Sequence, residues 1–284
     1  MRGGQVHSPN RIFTESAAIV PKNPARVPLW LGCAAAAWLA SAVPARTGPA
    51  CPTSADHIVT DRPDVTNSSL VVPTGSLQAE NGIDLVSRGS ARTLDGTNTR
   101  LRLGVASCLE FFVDLPSYVG ATHGGASSGF SDLAPGVKWQ LGPLPGEVDL
   151  SATAGMGLPT GATAVAGRGV RPYLQFPWSR ELGAGWGVSG MFTTFFAPSD
   201  PDSRVVVEPT FVIEKQIGAH ADIFVEYIGD FRRHDGPGHL LNSGAAYRLT
   251  PTQQIDFHVG FGLNRNAPDM IFGLGYSVRF DNLF

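Results

Sequence analysis

Charge is scarce in this chain: Lys, Arg, Asp and Glu together make up 16% of 284 residues, against about 25% in ordinary soluble domains. What charge there is nearly cancels, to a formal -3. No basic excess is left to neutralise a phosphate backbone, which excludes nucleic acid as a partner. Cysteine is scarcer still. Cys33, Cys51 and Cys108 are too few for a disulfide scaffold, and they lack the four-ligand spacing of a structural metal site. After the first 45 residues no long apolar run remains, which excludes helical membrane spans. Glycine, by contrast, is abundant at 34 residues, close to twice its usual share of about 7%. Few charges and many glycines describe a β protein rich in turns.

Residues 1–45 carry the pattern of a secretory signal peptide. Arg2, Arg11, Lys22 and Arg26 precede an apolar stretch from Pro28 to Leu39, and Val43-Pro44-Ala45 offers the small side chains of a signal-peptidase site. Cleavage is expected after Ala45. A membrane anchor is the competing reading, but the stretch is mostly Ala and is flanked by Pro28 and Pro44. Removal of the leader takes Cys33 with it and leaves Cys51 and Cys108 as a single possible pair.

From Leu77 to Phe280 apolar residues alternate with polar or tiny ones, the period of strands with two unlike faces. Val148, Leu150, Ala152, Ala154, Met156 and Leu158 share one face; so do Ile255, Phe257, Val259, Phe261 and Leu263, and the even positions from Met270 to Phe280. Short connections fall near Ser107, Gly142 to Gly146, Ser179 to Gly183, Gln216 to Gly218 and Thr250 to Gln253. Longer ones fall near Gly89 to Thr97, Gly120 to Gly129, Pro159 to Gly169, Pro198 to Ser203, Arg232 to Gly238 and Asn264 to Asp269. Long and short interleave, the asymmetry of an antiparallel up-and-down transmembrane β-barrel; a Greek-key sandwich has no reason to keep that order. About twelve strands of roughly 9 to 12 residues are expected, each long enough to cross a bilayer at a tilt. Trp139, Trp178, Trp186, Tyr247, Tyr276 and Phe280 then form an aromatic girdle at the short-turn end, with Tyr118, Phe130, Phe196, Phe231 and Phe261 at the other. The expected division is 1–45 signal peptide, 46–75 N-terminal periplasmic tail or lumen plug, and 76–284 outer-membrane barrel.

If the apolar face meets lipid, the opposite face directs Arg100, Arg102, Glu110, Asp114, Lys138, Asp149, Arg171, Glu208, Glu214, Glu226, Arg248, Asp256, His258 and Arg279 into the lumen. Both signs are present. Such residues either line a water-filled pore and set its selectivity or pair across a closed lumen. Residues 57–74 are too polar and too Pro-interrupted to form a wall strand. They lie either in the periplasm or in the lumen, where Asp61, Arg62 and Asp64 would meet inward charges.

Catalytic patterns are weak. Gly125-Ala126-Ser127-Ser128-Gly129 matches a nucleophile-elbow string, but that elbow works between a strand and a helix, and here it falls in a Gly-rich loop. His234 and His239 are read as residues of a polar loop with no metal-ligand spacing. A barrel phospholipase needs Ser, His and an orienting group clustered on the lipid side, whereas the strand histidine His258 shares the lumen face with Asp256. No enzyme activity, cofactor or metal is expected.

Two stretches carry a family resemblance. Thr60-Asp61-Arg62-Pro63-Asp64-Val65-Thr66 with Val71 to Glu80, and Leu249 to Asp256 with Gly260 to Asn264 and Ala267-Pro268-Asp269, resemble the two ends of outer-membrane barrels classed as transporters and named for a link to the meta pathway of phenol degradation. The resemblance spans about Thr60 to Phe280 and implies an outer-membrane channel for small organic solutes, aromatic ones among them, passing by diffusion. It brings no binding residues. Outer-membrane lipid, the barrel assembly machinery of a Gram-negative cell and a small solute are the expected partners. A closed structural barrel and a lipid-modifying barrel enzyme are the alternatives.

Overall fold

The computed structural model describes Cys51 and residues 57–123, 128–166, 169–197, 205–232 and 236–284. The signal-peptide reading of residues 1–45 therefore lies outside the described residues, as do Gly125 to Ser127 and His234.

Every regular element among the described residues is a strand: β1 (Leu77–Arg88), β2 (Ala91–Gly96), β3 (Arg100–Ala106), β4 (Leu109–Asp114), β5 (Tyr118–His123), β6 (Gly129–Phe130), β7 (Ala134–Leu144), β8 (Val148–Gly157), β9 (Arg171–Gly183), β10 (Trp186–Phe196), β11 (Val205–Ile217), β12 (Ala221–Arg232), β13 (Gly238–Thr250), β14 (Gln253–Gly262) and β15 (Met270–Phe280). The ladder runs β1-β3-β4-β7 and then in sequence order to β15, and β15 returns to β1 through Leu77↔Phe280 to Ser87↔Met270. Twelve antiparallel strands thus close on themselves and leave no sheet edge. Near the loop end three wall positions are interrupted. There β2, β5 and β6 pair with one another and with the upper part of β1, continuing the lines of β3, β4 and β7 beyond breaks at residues 97–99, 115–117 and 131–133. The broken segments run six or seven residues at β3 and β4, shorter than the sequence pattern suggests.

Three boundaries differ from the sequence reading, one of them at Gly120 to His123, which belongs to β5 and not to the expected loop from Gly120 to Gly129. Gly89 to Thr97 is not a long loop: Gly89, at φ +56°, and Ser90 turn the chain directly into β2. Only Leu94 in that strand is a large apolar residue, so alternation had nothing to show. Ser179 to Gly183 belongs to β9, and the turn follows at residues 184–185, where Gly183, Ala184 and Gly185 all have positive φ. His239 likewise sits in β13, where its Nδ1 lies 2.7 Å from the Tyr227 hydroxyl.

The faces sort as the alternation predicts. Ile83, Phe111, Phe192, Ile213, Phe257 and Leu274 are exposed on the outside, with Trp139, Trp186, Tyr247 and Phe280 toward the short turns and Tyr118, Phe130, Phe231 and Phe261 toward the loops. Apolar surface of this extent around a closed barrel fits a hydrocarbon surrounding. Polar side chains fill the inside, and Cys51 and Cys108 form a disulfide with Cα atoms 5.3 Å apart.

Candidate functional site: the plugged interior

Inside the barrel, residues 57–74 cross the lumen and are held by side chains of the wall. The segment enters beside the turn after β13, where the Ile58 N–H donates to Pro251 O at 2.7 Å. It leaves beside β3, where the Gly75 N–H donates to Gly104 O at 2.9 Å. A methyl group on Gly104 would stand 2.1 Å from Pro73 O, so only glycine lets the two backbones cross so closely.

Strand register explains the wall on the β1–β7 side. Arg100 lies opposite Asp114, and Glu110 lies opposite both Gly104 and Lys138, so opposite charges stand on neighbouring strands. Arg100 donates to both oxygens of Asp114 at 2.6 and 2.9 Å. Arg102, fully buried, donates to both oxygens of Glu110 at 2.9 and 3.0 Å and to Glu80 at 2.9 Å. Asp61 of the plug enters this network. Lys138 Nζ donates to its two oxygens at 2.9 and 3.2 Å, Arg100 donates at 2.9 Å, and its own N–H donates to Glu80 at 2.9 Å. Burial alone would raise the Asp61 carboxyl; Arg102, Lys138 and Arg100 together outweigh it and hold the group below the usual carboxylate range.

Across the lumen the contacts are of another kind. Glu226 on β12, fully buried, accepts from the Val65 and Thr66 N–H groups at 3.0 and 2.9 Å, from the Thr66 hydroxyl at 2.8 Å and from Asn242 at 3.0 Å. Asn67 donates to Gln175 at 3.0 Å. Val65 packs on an apolar cluster of Ile228, Leu240, Ala267 and Ile271. Arg62 reaches the β1–β15 seam, donating to Asp256 at 3.3 Å. Its side chain occupies the space over the paired glycines Gly82 and Gly275, where added methyl groups would overlap it at 2.2 and 2.5 Å.

Asp64 holds a different environment from Asp61. Burial raises its carboxyl well above the ordinary value, and Glu226 and Glu214 add to the effect. It lines a cavity of about 350 Å³ at the short-turn end, with Arg62, Ser179, Glu214, Asp222 and Arg248. Arg248 and Asp222 form an ion pair in its wall.

Of the fourteen residues placed on the lumen face by sequence, Arg100, Arg102, Glu110, Asp114, Lys138, Arg171, Glu208, Glu226, Asp256, His258 and Arg279 are buried in the interior. Glu214 and Arg248 line the short-turn cavity, and Asp149 is half-buried near it, opposite Ser179. Nearer the loop end, Arg171 pairs with Asp132, and His258 lies 3.1 Å from Asp84 and 3.2 Å from Asn242. Sequence reasoning missed Gln78, Glu80 and Asp84, although the alternation of β1 carries them inward; Asn81 on the outer face blurred it. It also missed an interior hydrophobic cluster of three aromatic residues, Phe112, Tyr173 and Phe195, with Val206. On that side the hydroxyls of Ser151, Thr153 and Tyr173 and the Gln140 amide nitrogen are buried without a protein hydrogen-bond partner. Water or a solute can satisfy such groups.

The match to known proteins agrees with this geometry. A comparison with curated proteins finds no match. Among solved structures, an outer membrane channel from Pseudomonas putida F1 is similar, with a TM-score of 0.60 at 17% identity over 74% of this chain and 97% of that one. The NanC porin is similar with a TM-score of 0.52 at 8% identity, over 71% and 98%. Identities this low show a shared fold. The chain belongs to the family described as "Putative MetA-pathway of phenol degradation", whose model matches residues 60–280.

Proposed function

We propose that the protein is a Gram-negative outer-membrane channel for small organic solutes, which cross by diffusion once residues 57–74 shift within the lumen. The observation that carries this reading is a closed barrel, apolar outside, whose interior is filled by a polar segment of the same chain rather than by wall side chains alone. A purely structural barrel of this size can pack its lumen with side chains. Here the filling is a separate segment, and a cavity already opens beside it. Family membership and the likeness to a channel and a porin support the reading. Export by a cleaved signal peptide and insertion by the barrel assembly machinery belong to the same proposal. The inward charges, Arg100 and Glu226 among them, set the ion preference of the open state.

Planar-bilayer conductance and liposome swelling of the whole protein, beside a variant lacking residues 57–74, test it. The deletion is expected to raise conductance and solute entry severalfold. A deletion variant that folds yet passes neither ions nor solutes would leave the closed barrel as the function.

A further inference from the structure

Asp61 is a carboxylate supplied by the plug to a seat built by the wall. Its oxygens receive Lys138 Nζ at 2.9 and 3.2 Å and Arg100 Nη1 at 2.9 Å, with Arg102 Nη1 at 3.4 Å. The wall fixes Arg100 and Arg102 without Asp61, while Lys138 also donates to the plug's Ser68 O at 3.1 Å. Arg100 is held by both oxygens of Asp114, Arg102 by Glu110 and Glu80, and Lys138 lies 3.6 Å from Glu110. If Asp61 leaves, Lys138 Nζ and Arg100 Nη1 keep pointing at one vacated position. Buried donors left unpaired cost about 1–3 kcal/mol each, and more when charged. The seat therefore favours another carboxylate over no occupant, and it gives nothing to a neutral or cationic group.

The neighbouring surface is apolar and aromatic. The Arg100 guanidinium stands 4.7 Å over the Phe112 ring, and Phe112 belongs with Tyr173, Phe195 and Val206 to one buried cluster. Gly136 and Gly155 give the rings their room, since methyl groups there would come within 2.2 Å of Phe112 and 2.3 Å of Tyr173. The Tyr173 hydroxyl, 8% exposed as a residue, is buried without a hydrogen-bond partner. Charge recognition, ring surface and a spare polar group thus lie together.

We propose that the Asp61 seat is a binding site for a solute carboxylate, with the aromatic or compact apolar body of the solute against Phe112 and Tyr173, so that an organic monocarboxylate exchanges with Asp61 and loosens the plug. The proposal rests on the channel reading above and names its substrate class. Phe195 extends the apolar wall, and Lys138 with Arg100 supplies the selectivity for anions.

Titration calorimetry of the full protein in detergent, with benzoate, benzyl alcohol and benzylammonium as probes, tests it. Asp61→Asn keeps the shape and removes the competing charge. It is expected to bind benzoate at least about tenfold more tightly than the unaltered protein, the factor that one charge-assisted hydrogen bond supplies. Neither other probe should gain affinity. Adding Lys138→Met to Asp61→Asn should abolish the gain. In the unaltered protein, millimolar benzoate should speed amide exchange at Ser68, whose N–H donates to Asp61 at 3.0 Å. Equal benzoate affinity with and without Asp61, equal gain for benzyl alcohol, or unchanged exchange at Ser68 overturns the proposal, and the exchange measurement stands even if the variant fails to fold. A plug-deleted protein that passes neutral solutes while these tests fail keeps the channel and loses the carboxylate site. One that passes nothing loses the channel, while benzoate binding is still read in solution.

Discussion

The two sides of the lumen hold the same segment by different means. On the β1–β7 side buried ions face buried ions, the strands are broken near the loop end, and the plug contributes a charge. On the β8–β15 side the strands run unbroken, and apart from the Arg62–Asp256 pair the plug is held through its backbone N–H groups, the His57 carbonyl that accepts from Arg279, small polar side chains and one apolar contact. Ion networks resist the loss of any member, because each removal strands a buried charge. Backbone-to-carboxylate contacts can be given up one at a time. The difference implies that, without a competing carboxylate in the Asp61 seat, the plug loosens from the β12 side before it leaves β3 and β7.

The change expected to disturb the comparison most is Arg102→Met, which leaves Glu80 and Glu110 facing each other without their shared cation. A loss of about 3–5 kcal/mol is expected, the range for breaking a buried ionic cluster, measured by urea unfolding in detergent. A loss under about 1 kcal/mol, the value of an exposed pair, would mean that the network is hydrated rather than buried. Next is the disulfide, which closes a loop with a sequence separation of 57. On chain entropy alone its removal by Cys51→Ser with Cys108→Ser costs about 4 kcal/mol as an upper figure. Mass analysis of unreduced protein should find no free thiol at Cys51 or Cys108, and two free thiols would remove the bond.

A smaller effect belongs to the other side. Glu226→Gln replaces one acceptor oxygen by a donor facing the Val65 N–H or the Asn242 amide, at a cost of about 1–2 kcal/mol. Amide exchange should rise at Val65 and Thr66 and stay unchanged at Ser68. Equal acceleration at all three sites would show that the plug moves as one body, and the contrast between its two sides would fall.

The smallest effect is one of pH. The Asp64 carboxyl is raised by burial and by Glu226 and Glu214, with a minor contribution from Asp61. A raised carboxyl favours the seated state while protonated, so its contribution is present in acid and lost as pH rises through the raised value. Asp61 has the opposite sign: its contribution is present above the ordinary carboxyl range and lost only in stronger acid. Protection factors at Val65 and Thr66, which remove the intrinsic pH dependence of exchange, should fall with rising pH above the ordinary carboxyl range, and the fall should be smaller in Asp64→Asn. A flat profile in the unaltered protein contradicts the assignment.

Much of this architecture was legible in the sequence because a membrane barrel imposes one rule on every wall residue. Leu274 and Phe272 out, Gly273 and Ser277 in, follows from a two-residue period and needs no partner to be known. Barrel closure and the pairing of Arg100 with Asp114 depend on register, which alternation does not carry. Residues 97–99, 115–117 and 131–133 were hidden for a different reason. Near the loop end Ser117 donates to Asp95, Asn98 donates to Asp84, and Asp132 accepts from Arg171 and the Gly161 N–H, so polar residues dominate and neither face keeps a hydropathy signature. The opening and closing segments around Thr60 and Gly260 pointed to the right family. The cluster of Phe112, Tyr173 and Phe195 went unseen because a large aromatic on an inward position looks, in one sequence, like an error of parity.

The plug segment has its two feet on one hairpin: Cys51 is bonded to Cys108 in the turn after β3, and Thr74 and Gly75 bind Gly104 within β3. A segment tied at both ends four residues apart can swing or refold in place but cannot diffuse away. Asp61 therefore returns to its seat as an intramolecular ligand, with an effective concentration of the order of millimolar for a short tether. On the proposal above, a solute carboxylate competes against that standing concentration, so its apparent affinity is lowered and half-occupancy of the seat is shifted to higher solute concentration.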